Sequence, residues 1–217
     1  MQLKSRQPTR RQIQSRQTRE KIYKTAIALF NRYGYEAVTI EDITQQTGVS
    51  KGAFYVHFSS KDDILLEHFR QTDTYYQNYF DQRDKTGVSA VRQISDFSTY
   101  MMDYIQKHMG LEVTRIVYIN QLREVLPPKK KFLGDESRPF HTYLQQVMEQ
   151  GQRDGEFRRD LSPYQLEQLL VRWMRSVIYD WCWGEGSFDL TREFERHLAL
   201  MLPVLTREAS PSMENPG

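Results

Sequence analysis

The stretch TIEDITQQTGVSKGAFYVHF, from Thr39 to Phe58, decides how this chain folds. Thr39 and Asp42 have the spacing of a capping box: the threonine oxygen accepts from the backbone at Asp42 and the aspartate reaches back, so a short helix starts there. Gly48 ends it. Ser50 is placed to cap a second helix, Lys51 to His57, of barely two turns. Phe54 and Phe58 lie one turn apart and therefore face inward together.

Reading outward, Ile22, Ala26, Leu29, Phe30 and Tyr33 follow the three-and-four spacing of one helical face, with Thr18 as the expected N-cap and Gly34 as the stop. On the other side, Ser60 and Asp63 repeat the capping pattern and open a helix that carries Ile64, Leu65, His68 and Phe69 and runs on towards Phe80. Two short helices joined by a tight glycine turn and packed on a longer amphipathic one form a helix-turn-helix, whose second member is the part that enters a major groove. Gly52, Ala53 and Val56 are expected opposite the two phenylalanines, flanked by Lys51, Tyr55 and His57. A face this small lets the backbone come close to base edges, and Val56 or Ala53 suits a thymine methyl. Thr39, Ser50, Lys51, Tyr55, His57 and Lys61 are candidates for phosphate oxygens.

The strings Ala28-Leu-Phe-Asn-Arg-Tyr-Gly34, Thr39-Ile-Glu-Asp-Ile43 and Val49-Ser-Lys-Gly-Ala-Phe-Tyr-Val-His-Phe58, followed by Ser60-Lys-Asp62, closely resemble the N-terminal signature of the TetR family of bacterial regulators. The resemblance covers Thr18 to Phe69. It implies that the positions of Ser50, Lys51, Gly52, Tyr55, His57 and Lys61 touch DNA. Val56 departs from the pattern, standing where many relatives carry a second aromatic, and points to an apolar base contact there. A packing role between helices is the structural alternative for Tyr55 and His57.

The rest of the chain reads as helices over Val88 to His108, Leu111 to Val125, Ser137 to Gln152, Pro163 to Trp183 and Leu190 to Leu205. The clearest start is Ser162-Pro-Tyr-Gln165, with a capping serine, proline at the first helical position and glutamine three residues after the cap. Breaks fall at Pro127 to Lys131, Gly151 to Gly155 and Gly184 to Gly186, and the segment from Ala209 is composed like a disordered tail. The fold is expected to be all α, an N-terminal three-helix helix-turn-helix domain (18–69, after a basic arm 1–17) joined to a larger helical domain (70–206) and a tail (207–217). The resemblance implies that the larger domain binds an effector and makes a homodimer. Phe97, Met101, Tyr104, Tyr118, Met148, Trp173 and Val177 stand out as a lining for a small apolar or aromatic effector, since aromatic and methionine side chains adapt to flat ligands. Ordinary core is the alternative for each of them. Two apolar stripes, Leu166 and Leu170 in one helix and Phe194, Leu198, Met201 and Leu205 in the last, are expected at the dimer interface.

Composition is that of a globular protein: 217 residues, 39% hydrophobic, 27% charged and net charge +2. The charge is unevenly spread. Between Lys4 and Lys21 seven basic residues meet one acid, Glu20, which favours a polyanionic partner. Neither a bilayer-length apolar run nor a secretion signal is present, so a cytoplasmic location is expected; the single cysteine, Cys182, fits a reducing compartment. No enzyme motif is evident. Glu193 and His197 lack a further histidine ligand, the other histidines are scattered, and no glycine-rich phosphate loop follows a strand, so no metal or cofactor is implied. The reading is thus a regulator that binds operator DNA and is released by a small molecule. An activator, or a carrier or enzyme that keeps the N-terminal helices as scaffold, is the rival.

Overall fold

The structure, a computed structural model, describes residues 9–82, 87–122 and 134–206. They form α1 (Arg10–Tyr33), α2 (Ile40–Thr47), α3 (Lys51–His57), α4 (Lys61–Gln82), α5 (Ala90–Tyr104) with a π turn after it (Ile105–Met109), α6 (Leu111–Leu122), α7 (Pro139–Arg153), α8 (Pro163–Trp183) and α9 (Leu190–Thr206). No strand occurs among the described residues, and the chain is all α. The expected break at Pro127 to Lys131, the tail from Ala209 and the first eight residues of the arm lie outside the described residues.

Two compact units divide the chain, one ending at Arg70 and the other beginning at Gln71. The first is built on α1, whose Ile22, Tyr23, Ala26, Ile27 and Phe30 are buried. Ile43 of α2, Phe54 of α3, Phe58 and Ile64 are buried with them, at 2% exposure or less. Gly48 ends α2 in the left-handed region at φ 69°, a conformation that costs a side chain dearly and glycine little. The turn into α3 therefore depends on glycine.

One boundary differs from expectation by a wide margin. Helix α1 starts at Arg10, not after Thr18, because Thr9 and Gln12 make a capping box of their own: the Thr9 hydroxyl accepts from the Gln12 backbone and the Gln12 side chain accepts from the Thr9 backbone. The Thr18 hydroxyl instead donates back to the Gln14 carbonyl at 3.0 Å, as an interior helical threonine does. Residues 10–17 are thus helix and not an irregular arm.

The second unit has an aromatic centre. Phe97 of α5 meets Tyr76, Tyr79 and Phe80 of α4 and Tyr143 of α7 with ring centroids 5.0–5.5 Å apart. Phe80 stacks on Tyr143 at 4.0 Å. Helix α7 ends where Gly151 passes under Phe157: a Cβ on that glycine would lie 2.2 Å from the ring, so close approach excludes any side chain.

The two apolar stripes turn inward. Leu166, Leu170, Phe194, Leu198 and Leu205 are at most 4% exposed within the single chain, and Met201 is half-buried. They pack on this chain's own helices, so within the single chain these buried side chains offer a second copy little surface. The large apolar side chains that α8 and α9 do expose are Tyr164 at the start of α8, Tyr179, Trp183 (79%), Leu200 (72%) and Val204.

Candidate nucleic-acid interface and effector region

Helix α3 offers solvent a narrow face. Phe54 and Phe58 anchor it from below, while Val56 is 79% and Tyr55 54% exposed, with Lys51 and Gly52 beside them. Ala53 and His57 are half-buried, so the open face centres on Gly52, Tyr55 and Val56 rather than on Ala53. Tyr55 stands edge-on to Phe54 at 5.5 Å, a contact that braces the ring while more than half of the residue stays exposed. At Gly52 the helix is open: the nearest atom to an added Cβ is Ser50 Oγ at 3.9 Å. Nothing within the protein requires glycine there. Ser50 caps the helix by accepting from the Ala53 backbone at 3.2 Å.

Several expected phosphate contacts have partners inside the chain. Thr39 is tied into the α2 cap, accepting from the Asp42 backbone at 3.1 Å and donating to its carboxylate at 2.7 Å; those bonds hold the Asp42 carboxyl below its usual range. Lys51 is ion-paired with Glu41 of α2, which raises the ammonium and lowers the acid. Lys61 differs most from expectation. Its ammonium donates to the carbonyls of Tyr35 and Val38, both at 2.7 Å, and lies 4.3 Å above the Tyr35 ring. It thus pins the loop between α1 and α2 to the start of α4.

In the second unit most of the expected pocket residues are buried. Phe97 and Tyr104 belong to the aromatic centre, Met101 and Met148 are buried in α5 and α7, and Val177 is buried in α8. Tyr118 and Trp173 are half-buried, and the Tyr118 hydroxyl donates to the Arg175 carbonyl of α8 at 3.4 Å. Phe97 is enclosed by rings of the protein itself rather than facing open space.

The sequence reading missed a group of buried polar residues. Arg138, at the start of α7, donates through Nε and Nη2 to Asp73 Oδ1 of α4 at 2.9 and 2.8 Å, with its guanidinium 4.8 Å from the Phe140 ring. One turn on, His141 Nδ1 lies 2.6 Å from Glu167 Oε1 of α8, and both side chains are at most 1% exposed. Gln168 donates to the other Glu167 oxygen at 3.0 Å. His141 Nε2 is buried with no hydrogen-bond partner among the described residues. Burying such groups costs more than an apolar core would, so their presence calls for a polar task. The signal lay in Glu167, an acid inside the apolar stripe of Leu166 and Leu170.

Cys182 is buried, and burial pushes its thiol up to about 12, which leaves it un-ionised at neutral pH. Among the described residues no three His, Cys, Asp or Glu side chains gather as a metal site would require, and no helix is long and apolar enough to cross a membrane.

A capped two-turn helix with a slim exposed face, set on a three-helix core and continued by a separate helical unit, defines a helix-turn-helix DNA-binding regulator. Similarity to known proteins makes the class specific. The family profile "Bacterial regulatory proteins, tetR family" matches residues 22–68, and "YsiA-like protein, C-terminal region" matches residues 91–203, more than half of the chain. The chain belongs to the TetR family of regulators, which are not enzymes. It is 25% identical over 202 residues to the HTH-type transcriptional repressor KstR2 of Mycobacterium tuberculosis, covering 91% of this chain and 96% of that one. Among solved structures, a regulator from Saccharomonospora viridis in complex with choline has a TM-score of 0.69 at 23% identity, covering 86% of this chain and 96% of that one. FadR from Bacillus subtilis in complex with stearoyl-CoA has a TM-score of 0.64 at 17% identity, covering 84% and 96%.

Proposed function

We propose that the chain is a homodimeric, cytoplasmic repressor that holds operator DNA through α3 and releases it when a small molecule enters the second unit. The observation that carries the DNA reading is the exposed face of α3, where Gly52, Tyr55 and Val56 point outward without a structural need to do so. Gly52 lets the helix approach base edges, Val56 meets an apolar base group, and Tyr55, Ser50 and His57 reach phosphates. Lys51 and Thr39 contribute after exchanging or sharing their partners Glu41 and Asp42; Lys61 supports the site by fixing the α1–α2 loop.

For the effector, the aromatic centre supplies apolar walls and the buried polar pairs supply an anchor. His141 Nε2 is the atom that a ligand's polar end would satisfy, and ring and methionine side chains would have to rearrange to admit it. The relatives solved with choline and with stearoyl-CoA support small-molecule control of this kind. Helix α4 belongs to both units, so a ligand that favours one arrangement of it changes the affinity for DNA, and DNA changes the affinity for the ligand by the same factor. The dimer face is assigned to Tyr179, Trp183, Leu200 and Val204 in place of the buried stripes.

The test uses a duplex recovered by selection from a randomised pool. Tyr55→Ala should weaken binding to it and flatten the dependence of affinity on salt by roughly 0.9 in log–log slope for one lost phosphate contact. Binding of the variant with unchanged affinity and slope would overturn the reading.

A further inference from the structure

Glu167 holds the His141 ring between α7 and α8 and leaves half of it unused. Ring nitrogen Nδ1 lies 2.6 Å from Glu167 Oε1, and the second oxygen of that acid accepts from Gln168 at 3.0 Å. These contacts account for one edge of the ring and for both carboxylate oxygens. The other edge carries Nε2, which is buried without a hydrogen-bond partner among the described residues. At 1% exposure, bulk water does not supply the missing bond. A plain staple between two helices needs only the bonded edge. An open polar atom beside it costs free energy for as long as nothing bonds to it, which marks Nε2 as the place of a guest.

The surroundings limit the chemistry of that guest. Leu144 and Met148 share the helical face of His141, and Leu170, Val171 and Met174 share that of Glu167. All five are at most 2% exposed. The Phe140 ring lies 4.0 Å from that of His141, centroid to centroid. A body placed among these side chains is apolar, and the two methionines are the ones that adapt to its outline. The polar end faces a different demand. A hydroxyl both donates and accepts, so it satisfies Nε2 whichever ring nitrogen carries the proton, whereas a carboxylate only accepts and an ammonium only donates. The buried groups nearby already have partners: Arg138 is bound to Asp73 at 2.8 Å, and Glu167 has a partner on each oxygen. A full charge on the ligand would enter this core with no counter-charge kept open for it, at a large cost in desolvation.

We infer that the second unit takes an uncharged ligand with a hydroxyl group, an alcohol or phenol on an apolar body, whose oxygen bonds to His141 Nε2. The inference rests on the reading of the second unit as the effector domain and adds the chemistry of the head group.

The test uses four probes of one size, para-cresol, toluene, benzoate and benzylammonium, titrated at neutral pH into the full-length wild type, Glu167→Gln and His141→Phe/Glu167→Leu. The double variant replaces the buried pair by apolar side chains, a change that cores tolerate, and an equal or higher melting temperature establishes that it folds. The wild type should bind para-cresol about tenfold more tightly than toluene, the worth of one hydrogen bond, and more tightly than either charged probe. The double variant should bind para-cresol and toluene alike. In nitrogen NMR of histidine-labelled protein, the His141 Nε2 resonance, identified by its loss in the double variant, should move with para-cresol and stay in place with toluene. Glu167→Gln offers Nδ1 an amide oxygen and should keep most of the preference; a loss there would give the binding to the charge and not to the open nitrogen, and overturns the inference. So does a wild type that binds none of the four, prefers a charged probe or fails to tell para-cresol from toluene, or a preference that survives in the double variant. If para-cresol binds through His141 yet leaves the affinity for the selected duplex unchanged, the ligand site stands and the reading of it as the effector site falls.

Discussion

His68 sits in the first unit at 3% exposure, its Nδ1 2.5 Å from the Tyr23 hydroxyl, and burial lowers its pKa from the ordinary 6.5 to about 4. The folded protein thus keeps a neutral ring where the unfolded chain takes up a proton. Stability from this residue is complete above pH 6.5 and is lost as the pH falls towards 4, because in that window the unfolded state binds more protons. The loss is of the order of 3 kcal/mol, from a shift of about two and a half pH units. Urea unfolding at a series of pH values should show the decline for the wild type and a flatter profile for His68→Asn; identical profiles would contradict this account. The same residue shows what can be read from a sequence at this scale. An apolar helical face announced that His68 lies inward, but the tyrosine that meets it is 45 positions away and no local pattern points to it. The partners of Lys61 were hidden for a related reason: the carbonyls that hold it belong to a loop brought near only by folding.

At the level of elements, helix entries were the most legible feature. Thr39 with Asp42 and Ser162 with Gln165 form the expected boxes, because a cap is a local exchange of hydrogen bonds between residues three apart. The box at Thr9 and Gln12 escaped notice since no apolar period follows it to mark a helix. Helical stripes were legible as stripes but not as faces. A period of three and four residues says that one side of α8 and α9 is buried, and says nothing about whether the cover comes from the same chain. Tyr179, Trp183, Leu200 and Val204 are exposed in the single chain and are the side chains proposed to meet a partner copy. Sedimentation of Trp183→Ser/Leu200→Ser should show monomers at concentrations where the wild type is dimeric, with dimer affinity lowered about a hundredfold or more, since large side chains at an interface core carry most of its energy. A variant that stays as dimeric as the wild type would place the interface elsewhere.

For the whole molecule, the all-α architecture followed from sequence because helices are local and short breaks separate them. The interior of the second unit did not. Which aromatic residues touch depends on how α4, α5 and α7 pack, and Phe97 proved to be enclosed by neighbouring rings where a ligand wall was expected. The buried pairs of Arg138 with Asp73 and His141 with Glu167 join residues 65 and 26 positions apart, beyond the reach of any motif. In the N-terminal unit the caps of α2 and α3 and the inward phenylalanines were legible for the opposite reason, being local in sequence, while the contacts of His68 and Lys61 were not. The claim on which the rest depends is that α3 lies against a duplex with Gly52 at the point of closest approach. Competition binding of Gly52→Leu tests it directly, as the site is open in the protein and leucine suits a helix better than glycine. The account predicts that the variant melts no lower than the wild type yet loses at least about tenfold of its affinity for the selected duplex, roughly 1.4 kcal/mol. A variant that binds that duplex as tightly as the wild type would contradict it.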